Sequence, residues 1–457
     1  MIHQNTIVAL ATPSGAGAIA IIRLSGKDAI TIAAEVFNSI RGKELSKQKS
    51  HTVHLGNIVD GNRIIDEVLA TVFKNPNSYT GENVVEFSCH GSSYIQQEII
   101  QLLLRKGCRM ATAGEFTLQA FLNGKMDLSQ AEAVADLIAS DSKASHQLAI
   151  QQMRGGFSTE IEELRIQLLN FASLIELELD FSEEDVEFAN REEFQKLIKK
   201  ITVLLKKLID SFATGNVLKN GIPVAIVGRP NSGKSTLLNS LLNEERAIVS
   251  NIAGTTRDTI EDEITIGGIR FRFIDTAGLR DTTDEIEKIG VERALEKLEK
   301  SSIYIYLFDS TEMSVVEVKK ELDSFTTNSK QLIVANKIDK ASKEEVAAIN
   351  NSDFSFLTIS ANSKDSLGTL TNSLLDIAGI EALNSNQLMV TNSRHYDVLI
   401  KSLEEISKVQ EGIDNHLTGD LLAIDLRQAL YFLGEITGQV SNDDLLGNIF
   451  ANFCIGK

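Results

Sequence analysis

The sequence predicts three folded parts: an α+β N-terminal domain, a discontinuous all-α helical domain, and an α/β domain inserted between the two helical halves. Strand-like runs punctuated by Gly, Pro and Asn fill residues 1–118. Apolar residues at spacings of three and four follow from Phe121 and return from about Tyr396. Between these helical stretches, an apolar strand enters a Gly-rich loop. The predicted boundaries are 1–118, 119–216, 217–380 and 381–457.

The individual elements follow from local patterning. In the N-terminal part, strands are predicted at Thr6 to Ala11, Ala18 to Leu24, Thr52 to Val59, Val68 to Phe73 and Asn83 to Ser88, and helices at Ala29 to Phe37 and Tyr94 to Lys106. Helical apolar stripes recur over Ile161 to Ile175, Leu197 to Leu208, Tyr396 to Ile406 and Leu421 to Ile436. Because each stripe needs a partner, the two helical halves are predicted to form one domain. The segment Gly215 to Gly221 is interpreted as a linker.

The inserted domain begins with a phosphate-binding loop. After an apolar run that ends at Val227, the spacing G-x-x-x-x-G-K-[ST] is met by Gly228, Gly233, Lys234 and Ser235. Glycines let successive backbone N–H groups turn inward around phosphates, and the following helix presents its positive N-terminus to them. We expect Lys234 to reach the β- and γ-phosphates and the Ser235 hydroxyl to ligate Mg²⁺.

Three further motifs predict that the nucleotide is GTP. Asp275-Thr-Ala-Gly278 follows a strand, and its aspartate can hold Mg²⁺ through water while its last N–H meets the γ-phosphate. Asn336-Lys337-Ile338-Asp339 follows another strand, and its final carboxylate can accept from N1–H and the 2-amino group of guanine. Ser360-Ala361-Asn362 can offer a backbone N–H to guanine O6. With Thr255 and Thr256 in a switch position, the order predicts a Ras-like P-loop GTPase domain.

One position departs from the common Ras-like pattern. Leu279 stands where a Gln orients the attacking water in Ras-like enzymes. Another group must therefore position the water, and the charged candidates just downstream are Arg280, Asp281, Asp284, Glu285 and Glu287. Asn231, inside the phosphate loop, indicates a monovalent cation beside the phosphates, which would supply the positive charge that an arginine finger supplies elsewhere.

Composition bounds the class of protein. The chain has 457 residues, a net charge of −18, three widely separated cysteines and no basic region at its N-terminus. No apolar run approaches the roughly 18 residues of a membrane span. We therefore predict a cytoplasmic protein without a membrane span, a disulfide framework or a zinc cluster.

The negative charge opposes generic binding to nucleic acid, which needs clustered Lys and Arg. Two small basic groupings are interpreted as solvated surface: Arg41, Lys43, Lys47 and Lys49, then Lys199, Lys200, Lys206 and Lys207. If the protein handles RNA, a local patch or a basic partner is expected to provide the contact.

The last residues form the segment Phe453-Cys-Ile-Gly-Lys457. Gly456 and Lys457 make it a poor prenylation box, which needs aliphatic residues in both middle positions. Two interpretations of Cys454 stay open: a reactive or site-lining thiol on an exposed tail, and a packed tail. Cys89 and Cys108 are predicted to be core thiols.

The motifs together make the chain similar to the MnmE (TrmE) family of GTPases, which modify the wobble uridine of certain tRNAs. The resemblance covers essentially all 457 residues. The motifs that carry it are Thr12-Pro-Ser-Gly, Arg23-Leu-Ser-Gly26, Asn77-Ser-Tyr-Thr-Gly-Glu82, Gly114-Glu-Phe-Thr117, Ala120-Phe-Leu-Asn123, Gly254-Thr-Thr-Arg-Asp258, Asp275-Thr-Ala-Gly-Leu-Arg280 and Phe453-Cys-Ile-Gly-Lys457.

For the N-terminal domain, the resemblance implies dimerisation and binding of a tetrahydrofolate derivative, such as 5-formyl-tetrahydrofolate, that supplies a one-carbon unit. The matching positions are Arg23, Glu82, Lys125 and Lys457. Cations suit the glutamyl carboxylates of folate, and a carboxylate suits the donor edge of its pterin.

For the GTPase domain, the resemblance implies K⁺ on Asn231, Ser250, Ile252 and Thr255, Mg²⁺ on Ser235 and Thr256, and two domains meeting across the nucleotides. The predicted catalytic residues are Glu287, which would orient the water, and Lys234, Arg280 and Cys454. The expected GTP contacts are Asn231, Ser232, Gly233, Lys234, Ser235, Thr236, Ser250, Asn251, Ile252, Ala253, Gly254, Thr255, Thr256, Asp275, Thr276, Ala277, Gly278, Asn336, Lys337, Asp339, Ser360, Ala361 and Asn362.

The resemblance also implies a heterotetramer with the flavoprotein MnmG, which forms an aminomethyl or carboxymethylaminomethyl group at uridine C5 of tRNA. A basic partner would reconcile the −18 charge with a tRNA substrate. Two alternatives stay open. A ribosome-assembly GTPase would act as a non-catalytic RNA-binding switch, and its relatives usually append an RNA-binding module such as KH. A metabolic sensor would couple folate to GTP without MnmG.

Overall fold

A computed structural model describes residues 5–180, 191–245, 262–274, 298–325, 327–352, 354–379, 388–441, 443–451 and 453–456. The described chain divides into two compact units. The first contains described residues within Met1–Ala139, Ala149–Lys207 and Asp397–Lys457, and the second those within Ser140–Leu148 and Leu208–Tyr396. The four predicted domain boundaries stay predictions.

In chain order, the helices are α1 (Ala29–Val36), α2 (Ser93–Arg105), α3 (Glu115–Leu122), α4 (Leu128–Ala139), α5 (Lys143–Met153), α6 (Gly156–Asp180), α7 (Arg191–Asn220), α8 (Lys234–Glu245), α9 (Val315–Leu322), α10 (Lys343–Asn350), α11 (Lys364–Ala378), α12 (Ser393–Asp414), α13 (Gly419–Thr437) and α14 (Asp443–Ala451). Among these described helices, none combines the length and the apolar character needed to cross a membrane.

The first unit contains a seven-stranded sheet. Its strands are β1 (Ile7–Leu10), β2 (Ile19–Ser25), β3 (Phe37–Ser39), β4 (Thr52–Asp60), β5 (Arg63–Phe73), β6 (Val84–His90) and β7 (Arg109–Met110). They lie in the order β3-β4-β5-β6-β2-β1-β7, antiparallel except for the parallel pair of β1 and β7. Helices α1 and α2 supply Val36 and Ile99 to a core that includes Ile22 and Phe87 of the sheet.

The five predicted strands of this sheet are confirmed, whereas β3 and β7 were missed. These two strands have three and two residues. Backbone pairing alone defines them, because so few residues cannot show an alternating apolar pattern. Cys89 and Cys108 are buried core thiols, as predicted.

The helical part of the first unit joins segments that are distant in sequence. Helix α6 packs along α13, where Gly434 lies against the Arg165 side chain: a Cβ there would lie 3.3 Å from Arg165 Nε. Arg427 Nε also pairs with Glu176 Oε1 at 2.7 Å. The predicted discontinuous helical fold is therefore confirmed.

The second unit contains a six-stranded sheet. Its strands are β8 (Ile222–Val227), β9 (Asp262–Ile266), β10 (Ile269–Phe273), β11 (Ile303–Asp309), β12 (Lys330–Asn336) and β13 (Phe356–Thr358). They lie in the order β13-β12-β11-β8-β10-β9 and are parallel, apart from the antiparallel pair of β9 and β10. All residues of β11 are buried, as expected for a parallel strand covered on both faces. The carboxyl ends of β8, β11, β12 and β13 therefore meet at one edge, where α/β sheets bind ligands.

The predicted linker at Gly215 to Gly221 is wrong. Helix α7 continues through Gly215 to Asn220, and Gly221, with φ of 83°, ends it. A Cβ on Gly215 would lie 2.2 Å from the carbonyl oxygen of Val390. The glycine therefore permits a close approach of two segments and does not break the helix.

Candidate functional site

The phosphate-binding loop joins β8 to α8 and fits tightly against the neighbouring strands. A Cβ on Gly228 would lie 2.0 Å from the Leu307 carbonyl oxygen, and one on Gly233 would lie 2.3 Å from Asn336 Nδ2. Both glycines have positive φ, 150° and 100°. Asn231 has φ of 61°, a left-handed conformation that Asn adopts more readily than most residues. Strands β11 and β12 thus leave room only for the glycines that the motif supplies.

The loop offers donors to an anion. Within the part of the chain that the structure describes, the N–H groups of Asn231 and Gly233 make no hydrogen bond. Lys234 Nζ donates to the carbonyl oxygens of Gly228 and Arg229 at 2.8 Å each, which holds the ammonium across the loop. Helix α8 begins at Lys234, so its first N–H groups lie at the same loop. This donor set fits phosphate oxygens.

Arg229 anchors the loop to α9. Its Nε lies 2.6 Å from Glu321 Oε1, and its Nη1 lies 3.8 Å from Glu317 Oε1. The hydrogen bond with Glu321 raises the pKa of Arg229. The buried Tyr306 hydroxyl donates to the second oxygen of Glu321, and burial raises the pKa of this tyrosine. These contacts position the loop from outside the phosphate cradle.

Asn336 connects the phosphate loop to the predicted base-recognition segment. It lies at the end of β12 and is 2% exposed. Its Nδ2 donates to the Ser232 carbonyl oxygen at 2.8 Å, and its Oδ1 accepts from the Ala361 N–H at 3.0 Å. Because the amide uses one donor and one acceptor, aspartate cannot replace it in both contacts.

An ion pair between a buried carboxylate and a partly exposed lysine adjoins this connection. Lys337 has φ of 61°, and its Nζ lies 2.5 Å from Asp309 Oδ2. Asp309 ends β11 and also accepts from the N–H and hydroxyl of Thr311, at 3.0 and 2.7 Å. Burial acts to raise the pKa of Asp309, but Lys337 and Thr311 outweigh it, so the pKa lies below its ordinary value. Asp309 was not predicted from the sequence, although a carboxylate at the end of an otherwise apolar strand is a signal that could have identified it.

The two predicted guanine-binding segments, residues 336–339 and 360–362, are linked by a backbone hydrogen bond, and the second is also held by a serine side chain. The Ile338 N–H donates to the Ile359 carbonyl oxygen at 3.2 Å. The Ser360 N–H donates to Ser366 Oγ at 3.2 Å. Asp339 and Asn362 are exposed, and the Asn362 N–H makes no hydrogen bond with any described residue. The carboxylate and one N–H therefore remain available to a base.

Part of the predicted site lies outside the described residues: Ser250, Asn251, Ile252, Ala253, Gly254, Thr255, Thr256, Asp275, Thr276, Ala277, Gly278, Arg280, Glu287 and Lys457.

The predicted cation ligands that the structure does describe lie in the loop and at the start of α8. Asn231 is exposed in the loop, while Ser235 and the exposed Thr236 lie in the first turn of α8. Ser232 is buried, and its Oγ has no hydrogen-bond partner among the described residues. Amide and hydroxyl oxygens suit K⁺ and Mg²⁺.

Arg23 is the centre of the candidate site in the first unit. Its Nε lies 2.7 Å from Glu86 Oε1, and its Nη1 donates to the Gly456 carbonyl oxygen at 3.1 Å. The guanidinium lies 5.9 Å from the ring centroid of Tyr79 and 5.6 Å from that of Phe116. Arg23 thus holds the terminal segment against the sheet.

The terminal segment is docked along its backbone. Ile455 forms a β-bridge with Ala113, and the Gly114 N–H donates to the Cys454 carbonyl oxygen at 3.3 Å. A Cβ on Gly456 would lie 2.3 Å from the Leu10 carbonyl oxygen. The segment is packed while the Cys454 thiol is exposed, so elements of both sequence interpretations hold. The chemical role of the thiol stays a prediction.

A shallow cavity of about 390 Å³, widely open to solvent, lies in the same unit and is lined by His51, Phe73, Asn77, Ser78, Tyr79 and Lys125. Lys125 Nζ donates to the Pro76 carbonyl oxygen at 3.1 Å. Tyr79 connects the cavity to Arg23, and its hydroxyl lies 2.9 Å from Thr117 Oγ1. Glu82 does not line the cavity, and its Oε2 accepts from Ser25 Oγ at 2.8 Å. The structure therefore places Arg23 near Tyr79, which lines the cavity together with Lys125.

The second unit is a P-loop GTPase. Its phosphate loop lies between a strand and a helix, and the buried Asn336 and the exposed Asp339 lie at the same edge of the sheet. Two family models together match nearly the whole sequence. Residues 6–125 match the GTP-binding protein TrmE N-terminus, and residues 128–454 match the MnmE helical domain. The chain belongs to the MnmE family of tRNA modification GTPases.

Relatives named tRNA modification GTPase MnmE share this length. Those from Flavobacterium psychrophilum, Flavobacterium johnsoniae and Bacteroides thetaiotaomicron are 64%, 63% and 51% identical, and each alignment covers 100% of both chains. Among solved structures, the FeoB G-domain from Methanococcus jannaschii is 22% identical over 35% of this chain and 98% of that chain, with a TM-score of 0.24. That score is too low to bear on the assignment.

Proposed function

We propose that this GTP hydrolase drives modification of the wobble uridine of tRNA in the cytoplasm, together with a flavoprotein of the MnmG type. The proposed product carries an aminomethyl or carboxymethylaminomethyl group at uridine C5 (position 34). The sequence identity to MnmE relatives supports this proposal, because it extends over their full length and so includes the N-terminal part as well as the GTPase. GTPases that share only the phosphate loop would not match there.

In the proposed reaction, the loop N–H groups and Lys234 bind the phosphates. Asp339 accepts from the guanine N1–H and 2-amino group, and the Asn362 N–H faces guanine O6. Ser235 and Thr256 would hold Mg²⁺, which neutralises charge on the phosphate oxygens. Glu287 would orient the attacking water, since Leu279 has no polar group.

The cation requirement separates this mechanism from one with an arginine finger. Asn231, with backbone oxygens of Ser250, Ile252 and Thr255, would hold K⁺ beside the phosphates, where two GTPase domains meet. GTP hydrolysis should be measured in K⁺ and in Na⁺ at equal ionic strength, for the wild type and Glu287→Ala. We expect strong stimulation by K⁺ that the variant loses. Equal rates in the two salts would contradict the K⁺ site and favour Arg280 or an arginine from a partner.

The N-terminal site would bind a tetrahydrofolate derivative in a homodimer, with Lys125, Arg23 and Lys457 near its carboxylates and Glu82 near its pterin. Exposure of Lys125 to a cavity of about 390 Å³ supports this proposal. Loss of one charge-assisted hydrogen bond weakens binding about tenfold. In calorimetry with 5-formyl-tetrahydrofolate, we expect the Kd to rise about tenfold for Lys125→Gln. The Kd should not change for Lys27→Gln, which removes another exposed lysine of this unit.

The reaction itself can be tested in a bacterium that lacks its own MnmE. Mass spectrometry of tRNA nucleosides should show that the chain restores the C5-modified uridine, and that Lys234→Ala does not. A chain that leaves the uridine unmodified but corrects a ribosome-subunit defect would instead be an assembly switch. Restoration without any MnmG would contradict the proposed partnership.

A further inference from the structure

Helix α7 carries a basic surface that the proposed nucleotide chemistry does not use. Its members are exposed lysines on one side of the helix, here called the α7 lysine face: Lys196, Lys199, Lys200, Lys206 and Lys207. The stretch from Lys196 to Lys207 contains no acidic residue, although the chain has 63 acidic and 45 basic residues. Apolar residues of the same stretch, such as Ile201 and Leu205, are fully buried on the opposite side.

The geometry makes this face an extended patch of charge. At about 1.5 Å rise per residue, the five lysines span roughly 16 Å along the helix. Their spacings of three, four and seven place them around Val203, which is 68% exposed. None of the five forms an ion pair within the described chain. By contrast, Lys47 of the other basic grouping is paired with Glu44 at 2.8 Å.

Like charges three or four positions apart on a helix repel each other and destabilise the helix. A ligand that carries several negative charges would remove this repulsion. RNA, an acidic protein and an anionic membrane all meet that requirement, so charge alone does not choose between them.

An adjoining cavity favours RNA. It is largely open to solvent and has a volume of about 340 Å³, and its lining includes Lys196 and Lys200 together with Gln167, Asn170 and Phe171. Glu193 also lines it. The Phe171 ring stacks on Phe194 with centroids 5.2 Å apart, which fixes its orientation. An aromatic ring beside two amide side chains suits the face and the edge of an unstacked base.

We infer that the α7 lysine face binds the phosphate backbone of tRNA, and that the adjoining cavity accepts one unstacked base. The inference rests on the proposed function for the identity of the RNA. It assigns the docking surface to the acidic chain itself, in addition to any surface that a basic partner provides. Each phosphate contact contributes about −0.7 to the slope of log K against log salt for single strands, and about −0.9 for duplexes.

The test is tRNA binding to the full-length chain over a salt series, measured by fluorescence anisotropy. Lys199→Gln/Lys206→Gln removes two charges two turns apart, and should make the slope shallower by about 1.4 to 1.8. We expect its Kd at low salt to rise at least tenfold. Lys43→Gln/Lys49→Gln makes the same charge change in the other grouping, and should stay within about twofold of the wild type. Unfolding midpoints should be equal in the three chains.

A neutral variant tests the cavity. Asn170→Ala should raise the Kd about threefold with the salt slope unchanged, because it removes a hydrogen bond and no charge. Three results would each overturn the inference. The two double variants could have equal effects, the wild type could fail to bind tRNA, or polyglutamate of equal charge could displace the tRNA. If tRNA binding follows the expected pattern but the chain restores no uridine modification, the proposed function fails and the RNA surface stands.

Discussion

Asn336→Ala is expected to weaken the fold of the GTPase unit and its affinity for GTP together. The side chain makes two buried hydrogen bonds, to the Ser232 carbonyl oxygen at 2.8 Å and from the Ala361 N–H at 3.0 Å. One bond supports the phosphate loop, and the other supports the segment that faces the base. Truncation therefore removes support from both halves of the nucleotide site at once.

The magnitude follows from the two groups that lose their partner. A buried polar group without a hydrogen bond costs about 1 to 3 kcal/mol. Two such groups, with some relaxation towards water, give a loss of about 2 to 4 kcal/mol in the free energy of unfolding. For a unit of this size, each kcal/mol lowers the unfolding midpoint by about 2 to 4 °C, so we expect a decrease of roughly 4 to 16 °C.

Calorimetry of unfolding and titration with a fluorescent GTP analogue measure the two effects. We expect the Kd for the analogue to rise at least tenfold, which corresponds to about 1.4 kcal/mol. Asn336→Asp keeps the acceptor for Ala361 but faces the Ser232 carbonyl oxygen with a carboxylate, so it should be no better than alanine. Asn351→Ala, an exposed residue after α10, is the control. If Asn336→Ala behaves like this control in both assays, the connecting role of Asn336 is refuted.

Two further predictions concern the same unit. Gly215→Ala should lower the free energy of unfolding by about 2 kcal/mol, because the added methyl group overpacks the contact with Val390. Gly368→Ala, in an open part of α11, should raise it by about 0.5 to 1 kcal/mol. Equal shifts of the unfolding midpoint in the two variants would contradict the close contact at Gly215. Lys337→Met should cost about 2 kcal/mol at neutral pH by leaving the Asp309 carboxylate buried without its cation. The lowered pKa of Asp309 stabilises the wild type above the ordinary value of 3.8, and this contribution disappears as pH falls through the lowered pKa. Without Lys337, the pKa of Asp309 should be higher than in the wild type. The difference in free energy of unfolding between wild type and variant should therefore shrink as pH falls, and a difference that stays constant over the whole acid range in which both chains fold would contradict the pairing.

The phosphate loop was predictable because its residue spacing is itself the chemical requirement. Gly228 and Gly233 are needed where the neighbouring strands leave no room for a Cβ, and Lys234 must follow at the helix start. The longer strands of the seven-stranded sheet were predictable for a similar reason, since burial of one face of a sheet favours apolar residues at alternate positions, as in β5.

Other features depend on contacts that leave no local pattern. The motif identified Asn336 as part of a GTP site, but its position beneath Gly233 appears only when β8 and β12 lie in one sheet. A glycine such as Gly215 is typical of a linker, but here it lies within α7 because Val390, far along the chain, leaves no room for a Cβ. The contact of Arg23 with Gly456 spans 433 positions, and no spacing rule reaches that far.

That last contact also sets when the N-terminal site is completed during protein synthesis. Arg23 and Gly456 are 433 positions apart, so the ribosome must add everything between them before the contact can form. At about 5 to 20 residues per second, this takes roughly 20 to 90 s. A nascent chain that stalls before Cys454 can have a complete sheet but not the tail that Arg23 holds. The docked segment is therefore a late addition to a site whose other described residues, Arg23, Tyr79, Glu82 and Lys125, are synthesised early.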